Sequence, residues 1–523
     1  MWIDLPVPIY QKLYFFNITN PVEFREKGSA MEVSEVGPFT YRSYWHKNDI
    51  QYHENGTISY REEKTFKFVL EESVADESQT IYTLNGPLIF GSNFLKNRSS
   101  ALQKSANVFF KFSGEKIIVK KTIAELSFQG YKDSIIKIGR YLNPEMPFKN
   151  GEFSWLFGRN ATDDGLFEVY TGKLNHDMLS MIYKWNGSTH LNYWKGDECN
   201  KISGTNGEFG PALQPNQSTY TFFQPIFCRS MTFNYTEDYT HKGVLTKRFV
   251  NHKAIFANSQ ENPENYCFEN NLNLPSGVLD ISSCQYDAPV YLSFPHFYLA
   301  DSSYTDNVAG LHPSETNHSS HIDVEPQIGI TVDLAIRFQL NLEIENIPNL
   351  SELQNIPPGL YPIFWTEISV QFTQELADFL YNRLKRPVVA TYAVLGLLFA
   401  VSTVLVSCAI IDLLIWKSYK AKDDDEARRP LLSDGDKSNY SSVFQETGSN
   451  NISHDSPSSQ ARGKEKASSS KPSESRSAKL SDEPVLDVSE KTESSHVVTA
   501  HMSASSVEVK IVDSRNRKNE LMK

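Results

Sequence analysis

Residues 388–411 read VVATYAVLGLLFAVSTVLVSCAII, 24 positions without a charged side chain. A helix of that length reaches about 36 Å, enough to cross a hydrocarbon core of about 30 Å. The core helix of a water-soluble protein would show a polar stripe at the helical period, and this stretch has none. The reading is a transmembrane helix over 387–416, which divides the chain into a region that folds before it and a segment that follows.

The two flanks differ in composition. Residues 1–386 are rich in Tyr, Phe, Trp and Asn, whereas 417–523 are dominated by Ser, Lys, Asp and Glu, with tracts such as Ser468-Ser469-Ser470. A chain of 523 residues with 12% aromatic side chains has the means for a large core. The last segment has too little apolar surface to offset its ordering entropy and reads as a disordered cytosolic tail. Charge does not orient the helix, because Arg383, Lys385 and Arg386 before it balance Lys417, Lys420 and Lys422 after it. Glycosylation sequons do. Asn17, Asn55, Asn97, Asn160, Asn186, Asn216, Asn234, Asn317 and Asn349 each open an Asn-x-Ser/Thr acceptor on the N-terminal side, which places residues 1–386 in an extracellular or luminal space.

Cys199, Cys228, Cys267 and Cys284 fall in that exported region, and Cys408 lies in the apolar helix. An even cluster there implies two disulfides. Zinc is the competing reading, but no Cys-x-x-Cys or His-x-x-x-His pair brings ligands together, and no metal or other cofactor is expected. An exported domain also needs a signal or anchor, and the chain opens Met1-Trp2-Ile3-Asp4-Leu5-Pro6 without an apolar run. The expectation is an alternative or incomplete product, or insertion through the later helix.

Short alternating runs broken by turn residues, such as Gly37-Pro38-Phe39-Thr40-Tyr41-Arg42 and Thr65-Phe66-Lys67-Phe68-Val69-Leu70, predict antiparallel strands up to about residue 89. From about 99 to 141 the rhythm changes. Ile123, Leu126, Tyr131, Ile135 and Ile138 stand at roughly helical spacing, which predicts two or more helices. Strand-like segments return at 166–170, 220–225 and 290–292, and 366–386 reads as an amphipathic helix leading into the membrane. The fold class is mainly β with a helical insertion.

The order of several motifs resembles the class B scavenger receptor family, from Trp2 through the membrane helix. They are Pro8-Ile9-Tyr10, Phe16-Asn17-Ile18-Thr19-Asn20-Pro21, the Gly37 to Arg42 run, Gly130-Tyr131-Lys132-Asp133 and Asn160-Ala161-Thr162-Asp163-Asp164-Gly165. Phe227-Cys228-Arg229-Ser230, Glu261-Asn262-Pro263-Glu264-Asn265-Tyr266-Cys267-Phe268, Gly277-Val278-Leu279-Asp280-Ile281 and Ser293-Phe294-Pro295-His296-Phe297 complete the series. The resemblance implies a glycosylated ectodomain over 1–386, built as an antiparallel β-barrel. It also implies an apical helical bundle at about 96–149 capping the barrel, and a lipid-conducting tunnel through it. It pairs Cys199 with Cys267 and Cys228 with Cys284, and leaves out a further bridge of many relatives, which loosens the loop between Asn270 and Ser283. Relatives carry two membrane helices, so the first is expected upstream of Trp2.

The net charge is −12, yet residues 96–149 hold eleven basic side chains against four acidic ones. A cationic helical region on an anionic protein reads as a docking surface for anionic ligands, with solvated lysine-rich helix faces as the plainer alternative. The resemblance places ligand-receiving lysines here, and Lys111, Lys116, Lys120 and Lys121 are the candidates. His312, His318, His321 and Asp323 form the one cluster that invites a metal or catalytic reading. They are read as structural, with His312 and His321 facing solvent. No nucleophile elbow or phosphate-binding glycine loop occurs, and the chain is read as no enzyme.

In the tail, Glu426 with Leu431 and Leu432 resembles an acidic dileucine sorting signal, its acid five residues before the first leucine. Tyr440-Ser441-Ser442-Val443 fits a tyrosine-based one. The function expected is a scavenger receptor that binds fatty acids, phospholipids, sterols or lipoproteins and passes lipid along a tunnel. The alternative is an endocytic or lysosomal sorting receptor for a luminal protein cargo. Both readings place it in the plasma membrane or the endosomal-lysosomal membrane, with endocytic adaptors at the tail and no nucleic-acid partner.

Overall fold

A computed structural model describes residues 2–5, 7–142, 148–270, 274–370, 372–428, 499–503 and 506–510. The strands are, in chain order, β1 (Ile9–Ile18), β2 (Met31–Tyr52), β3 (Thr57–Phe68), β4 (Thr80–Leu84), β5 (Ile118–Thr122), β6 (Tyr131–Lys132), β7 (Glu152–Phe153), β8 (Thr162–Tyr170) and β9 (Ile182–Trp185). They continue as β10 (Thr219–Gln224), β11 (Arg229–His241), β12 (Val244–Val250), β13 (Val278–Asp280), β14 (Val290–Ser293), β15 (Val308–Ala309), β16 (His321–Val324), β17 (Thr331–Ile344) and β18 (Gly359–Val370). Helices α1 (Pro21–Lys27), α2 (Gly86–Leu95), α3 (Ser100–Phe112), α4 (Ser134–Leu142), α5 (Asp197–Asn200), α6 (Glu315–His318) and α7 (Gln374–Leu380) are short, and α8 (Arg386–Glu426) is long.

Fourteen strands form one sheet with the path β10-β11-β12-β16-β17-β18-β1-β2-β3-β8-β9. Its sequential neighbours are hairpins with local causes. Asn55-Gly56 turns β2 into β3, with Gly56 at φ 78°, and Lys242-Gly243, both at positive φ, turn β11 into β12. Two residues at positive φ match the right-handed twist of the strands they join. The centre of the sheet is a long-range pairing, since β1 lies between β2 and β18 with Ile9 opposite Val370 and Phe15 opposite Phe364. One hydrophobic cluster unites these strands, with Leu13, Phe24, Met31, Phe39, Phe223 and Phe249 fully buried in it.

The terminal strands of the path both meet one irregular segment. Ile182 of β9 donates its N–H to Gly204 O at 2.9 Å, and Phe223 of β10 donates to Thr205 O at 2.8 Å. Disulfides join Cys199 to Cys267 and Cys228 to Cys284, which tie this region to the loops after β12 and β13.

The stretch expected to be helical at 99–141 holds α3, α4 and a short helical segment with Ile123 and, in its π-helical part Glu125–Gln129, Leu126. A β4–β5 hairpin stands beside them, and Tyr131 lies on the two-residue strand β6 instead. Helices here begin at side-chain caps, with Asn85 accepting the N–H of Leu88 at 3.1 Å and Ser99 that of Leu102 at 3.4 Å.

The helix expected from Thr366 starts at Gln374 instead, because residues 366–370 are hydrogen-bonded on both sides, to β1 and to β17. Helix α8 is long and apolar enough to cross a membrane. Of the tail, residues 429–498 lie outside the described residues, and β19 (Thr499–Ser503) pairs with β20 (Ser506–Lys510).

Gly204 has φ 85°, and a Cβ there would stand 2.1 Å from Thr221 O. Gly204→Ala is expected to cost about 2–4 kcal/mol, from a left-handed backbone and from main-chain overlap where the two terminal strands meet. Thermal unfolding of the detergent-solubilised chain measures it, and an unchanged melting temperature would remove Gly204–Thr205 as a link between those strands.

Candidate functional site

A cavity with an empty volume of about 1500 Å³, open solvent at its mouth included, lies along one face of the sheet. Its walls come in pairs two residues apart: Ser43 and Trp45 on β2, Lys64 and Phe66 on β3, Thr162 and Asp164 on β8, Phe222 and Gln224 on β10. Leu334 and Ile336 on β17, Ile368 and Val370 on β18, and Ile9 and Gln11 on β1 complete the set. Residues i and i+2 of a strand share a face, so seven strands turn one face toward a common space. Strands near both ends of the path, β10 and β8, take part. Leu5, Val7, Ile330 and Leu376 of α7 close one end, beside a small cluster of Val244, Val332, Phe372 and Leu380. The walls are mostly apolar, as a space for acyl chains requires.

Charge enters this space only as paired groups. Lys47, 2% exposed, donates to Glu62 at 2.5 Å and to Glu208 at 2.6 Å. Lys64 and Arg159 both donate to Asp164, at 2.7 and 2.8 Å. Asn206 donates to the second oxygen of Glu208 at 2.8 Å. Burial raises the Asp164 carboxyl, but Lys64 and Arg159 outweigh it and hold the group below its ordinary value. Glu208 behaves oppositely. Burial and the adjacent Glu62 push its carboxyl up to about 8 against the pull of Lys47. One of the two carboxylates sharing Lys47 therefore holds a proton at neutral pH.

Sequence reasoning missed this network, although a signal was present. Tyr60, Glu62, Lys64 and Phe66 have the same parity on β3, so a strand with an apolar inner face must carry two charges inward.

The four candidate lysines do not converge. Lys111 lies in the last turn of α3, Lys116 follows in a loop, and Lys120 and Lys121 are neighbours on β5, where successive side chains point to opposite faces. Lys116 is bound to Glu352 at 3.0 Å, a partner from far along the chain. Lys121 stands 3.6 Å from Glu125 and over the Tyr131 ring at 3.7 Å. Lys111 and Lys120 have no acidic partner among the described residues, and Lys120 lies 5.6 Å from the Tyr82 ring centroid. Around Lys111, α3 exposes Val108 (67%) and Phe112 (93%).

The histidine loop divides between two places. His318 stacks on His296 at 4.4 Å, and His296 Nε2 meets Glu35 Oε2 at 2.6 Å, where Trp365 Nε1 also donates at 2.7 Å. Burial and then the neighbouring His296 push the His318 imidazole down to about 4. His321 faces Asp333 at 2.9 Å and is half-buried, a difference from the solvent-facing position expected of it. Asp323 is buried under Arg248 and His241. His312 is exposed, its main-chain N–H given to His296 Nδ1.

Among the sequons, Asn55, Asn97, Asn160, Asn216, Asn234 and Asn317 are exposed and Asn17, Asn186 and Asn349 half-buried. Asn349 Nδ2 is engaged with Gln103 at 2.7 Å. Glu426 ends α8 in an exposed position, and Leu431, Leu432 and Tyr440 lie outside the described residues.

The sequence model of the CD36 family matches residues 1–413. Scavenger receptor class B member 1 of Bos taurus is 34% identical over 440 residues, 82% of this chain and 84% of that protein. Lysosome membrane protein 2 of Homo sapiens is 32% identical over 394 residues, 75% of this chain and 80% of that protein. The Mus musculus protein of the same name is 34% identical over 393 residues with the same shares.

Two groups set opposite pH dependences of stability. Glu208, raised from 4.5 to about 8, holds a proton in the folded state that the unfolded chain has lost. Its contribution is complete below 4.5 and disappears as pH rises through 8. His318, lowered from 6.5 to about 4, contributes above 6.5 and loses its contribution as pH falls toward 4. Between 4.5 and 6.5 the two slopes oppose, so stability falls on raising pH from 6.5 to 8, by on the order of 1–2 kcal/mol. Glu208→Gln is expected to flatten that fall in melting curves of the solubilised chain, and a slope left intact would dissociate it from Glu208.

Proposed function

Because the chain belongs to the CD36 family, we propose that it is a class B scavenger receptor that accepts the apolar part of a lipid into the cavity of its ectodomain. The observation that carries this reading is the apolar space lined by residue pairs from seven strands of one sheet. The sheet is proposed to close into a barrel through the segment at Gly204–Thr205, which takes hydrogen bonds from both terminal strands. The cavity is proposed as part of a tunnel whose lower end lies among Val7, Ile330 and Leu376, ten residues before the first basic residue of α8.

Helices α2, α3 and α4 with the β4–β5 hairpin are proposed as the apical ligand surface. Lys111 and Lys120, free of acidic partners among the described residues, are its first contacts for anionic lipids or lipoproteins. Lys116 and Lys121 serve mainly to hold the hairpin, through Glu352 and Glu125. The exposed Val108 and Phe112 beside Lys111 favour a second reading, in which α3 binds a luminal protein cargo. Relatives of Homo sapiens, Mus musculus and Rattus norvegicus carry the name Lysosome membrane protein 2, in keeping with a lysosomal membrane location. The sequons are proposed as glycosylated and the dileucine at Leu431 and Leu432 as an adaptor signal, on a membrane protein of the cell surface or the endosomal-lysosomal system.

Cells expressing the full chain, offered anionic lipid particles with a fluorescent lipid and a labelled protein coat, separate capture from transfer. Leu334→Trp, which fills the cavity, is expected to reduce lipid transfer several-fold with capture unchanged. Lys111→Glu with Lys120→Glu is expected to reduce capture several-fold, and more at low ionic strength. Normal transfer in the first variant would overturn the cavity reading. Retained particle capture in the second, together with a luminal protein that co-purifies and is lost on Phe112→Asp, would establish the cargo reading.

A further inference from the structure

Asp323 on β16 and Asp333 on β17 stand directly opposite each other in the antiparallel register. Like charges in that position destabilise a sheet unless something lies between or beside them. Arg248, opposite Asp323 on β12, supplies part of the compensation, with Nε to Oδ1 at 2.8 Å and Nη2 to Oδ2 at 2.7 Å. One guanidinium against two carboxylates leaves a negative charge. What surrounds the remainder is two imidazoles. His241, at the end of β11, has Nε2 at 2.5 Å from Asp323 Oδ2, and His321, two residues before Asp323 and on the same face, has Nε2 at 2.9 Å from Asp333 Oδ2. The donor atoms of His241, Asp323 and Asp333 all lie within 4.8 Å of one another.

We propose that His241, Asp323 and Asp333 bind one divalent cation of the zinc class, with His321 held beside Asp333 as its outer partner. One imidazole and two carboxylates, with the fourth position left to water, are a donor set suited to such an ion. Around a tetrahedral ion with ligand distances of about 2.0–2.2 Å, neighbouring donor atoms stand about 3.3 Å apart. The His241–Asp323 pair, at 2.5 Å, then opens by about 0.8 Å. Asp323 keeps Arg248 as the outer partner that fixes its orientation. His241 has no hydrogen bond at Nδ1 among the described residues, so it is free to carry its proton there and present a lone pair at Nε2.

The comparison within the molecule sharpens this. Glu35, His296 and His318 also bring donor atoms close together. There, Nδ1 of His296 accepts the N–H of His312 and Nδ1 of His318 that of Ser314, both at 3.0 Å. That hydrogen bonding places the protons on Nε2, so His296 meets Glu35 as a donor and neither ring has a lone pair for a metal. At the turn end of the β11–β12 hairpin the His241 ring meets no such main-chain donor among the described residues.

The cation would pin that hairpin where the chain leaves the ectodomain. Lys385 donates to Gly243 O in the hairpin turn at 3.0 Å, and the His241 ring packs edge-on to Phe372 at 6.4 Å between centroids. Val244 packs with Phe372, Leu376 and Leu380 in the same small cluster.

The solubilised full chain, stripped with a chelator and titrated with zinc chloride, tests the site by calorimetry and by melting temperature. One equivalent is expected to bind, with proton release and a raised melting temperature. Asp333→Asn and His241→Ala, both of which leave the Arg248–Asp323 pair in place, are each expected to weaken binding at least tenfold. Failure to bind one equivalent, or variants that bind as the unsubstituted chain does, would overturn the proposal. Cobalt(II) gives a readout independent of any variant: an intense visible spectrum of four-coordinate nitrogen and oxygen ligands supports the site, and a weak six-coordinate spectrum overturns it.

Discussion

Seven residues of the first strand, Ile9 to Phe15, run antiparallel to Val370 to Phe364 of the last, across a separation of more than 300 residues. Everything between them is arranged around that seam. Because Ile9 faces Val370, the chain before β1 and the chain after β18 leave the sheet on the same side, and the residues flanking the seam, Val7 and Leu376, both line the cavity. The seam closes a very long loop, whose entropy is unfavourable until the strands between are in place, so it is a late and cooperative pairing. What offsets it is local. Phe15 lies against Phe364 and Phe39, and Tyr14 stacks on Trp365 at 3.7 Å, so the joined strands are packed on both faces. The disulfides Cys199–Cys267 and Cys228–Cys284 shorten the chain's freedom in the part farthest in sequence from the seam.

A one-residue slip would turn the apolar side chains of a strand away from the inner face, and charge adds a second constraint on register. Lys47 joins β2 to Glu62 of β3 and to Glu208 of the segment before β10, while Lys64 of β3 and Arg159 meet Asp164 of β8. Well-packed apolar groups would serve stability equally well, since burying each charge is costly, but a slip of one residue would leave any of these charges unpaired. The same network keeps the cavity's polar surface spoken for. A ligand's carboxylate would have to displace Asp164 from two cations to be received there, whereas an alkyl chain displaces nothing.

The sequence announced the apolar helix, the β-rich body, the interrupting helices and the sequons, because each is a local property of composition or period. It did not announce the β4–β5 hairpin, since Ile118 to Thr122 is only five residues long with two lysines in it, and a strand that short is set by its partner. The lysines show the same limit. Their number is visible in the chain, but whether each is free depends on Glu352, which reaches Lys116 from 236 residues away. The inward charges on β3 were legible by parity once the strand was drawn. Their partners Lys47, Asp164 and Glu208 were not, because only the sheet order brings them together.

The histidine loop shows why proximity in sequence is a poor guide in such a fold. His318 and His321 are three residues apart, yet one lies at the end of a helical turn and the other begins a strand, so they face different neighbours. Main-chain N–H groups occupy Nδ1 of His318 and of its stacking partner His296, and Trp365 joins His296 as a donor to Glu35. That carboxylate accepts from both, which binds the loop to β2 and β18. His321 meets no such donor. It stands instead beside two carboxylates that strand register sets face to face, with His241 brought in by a hairpin turn. An imidazole therefore acts as a hydrogen-bond donor at His296 and offers a lone pair at His241, and the choice is made by which backbone groups lie against the second ring nitrogen.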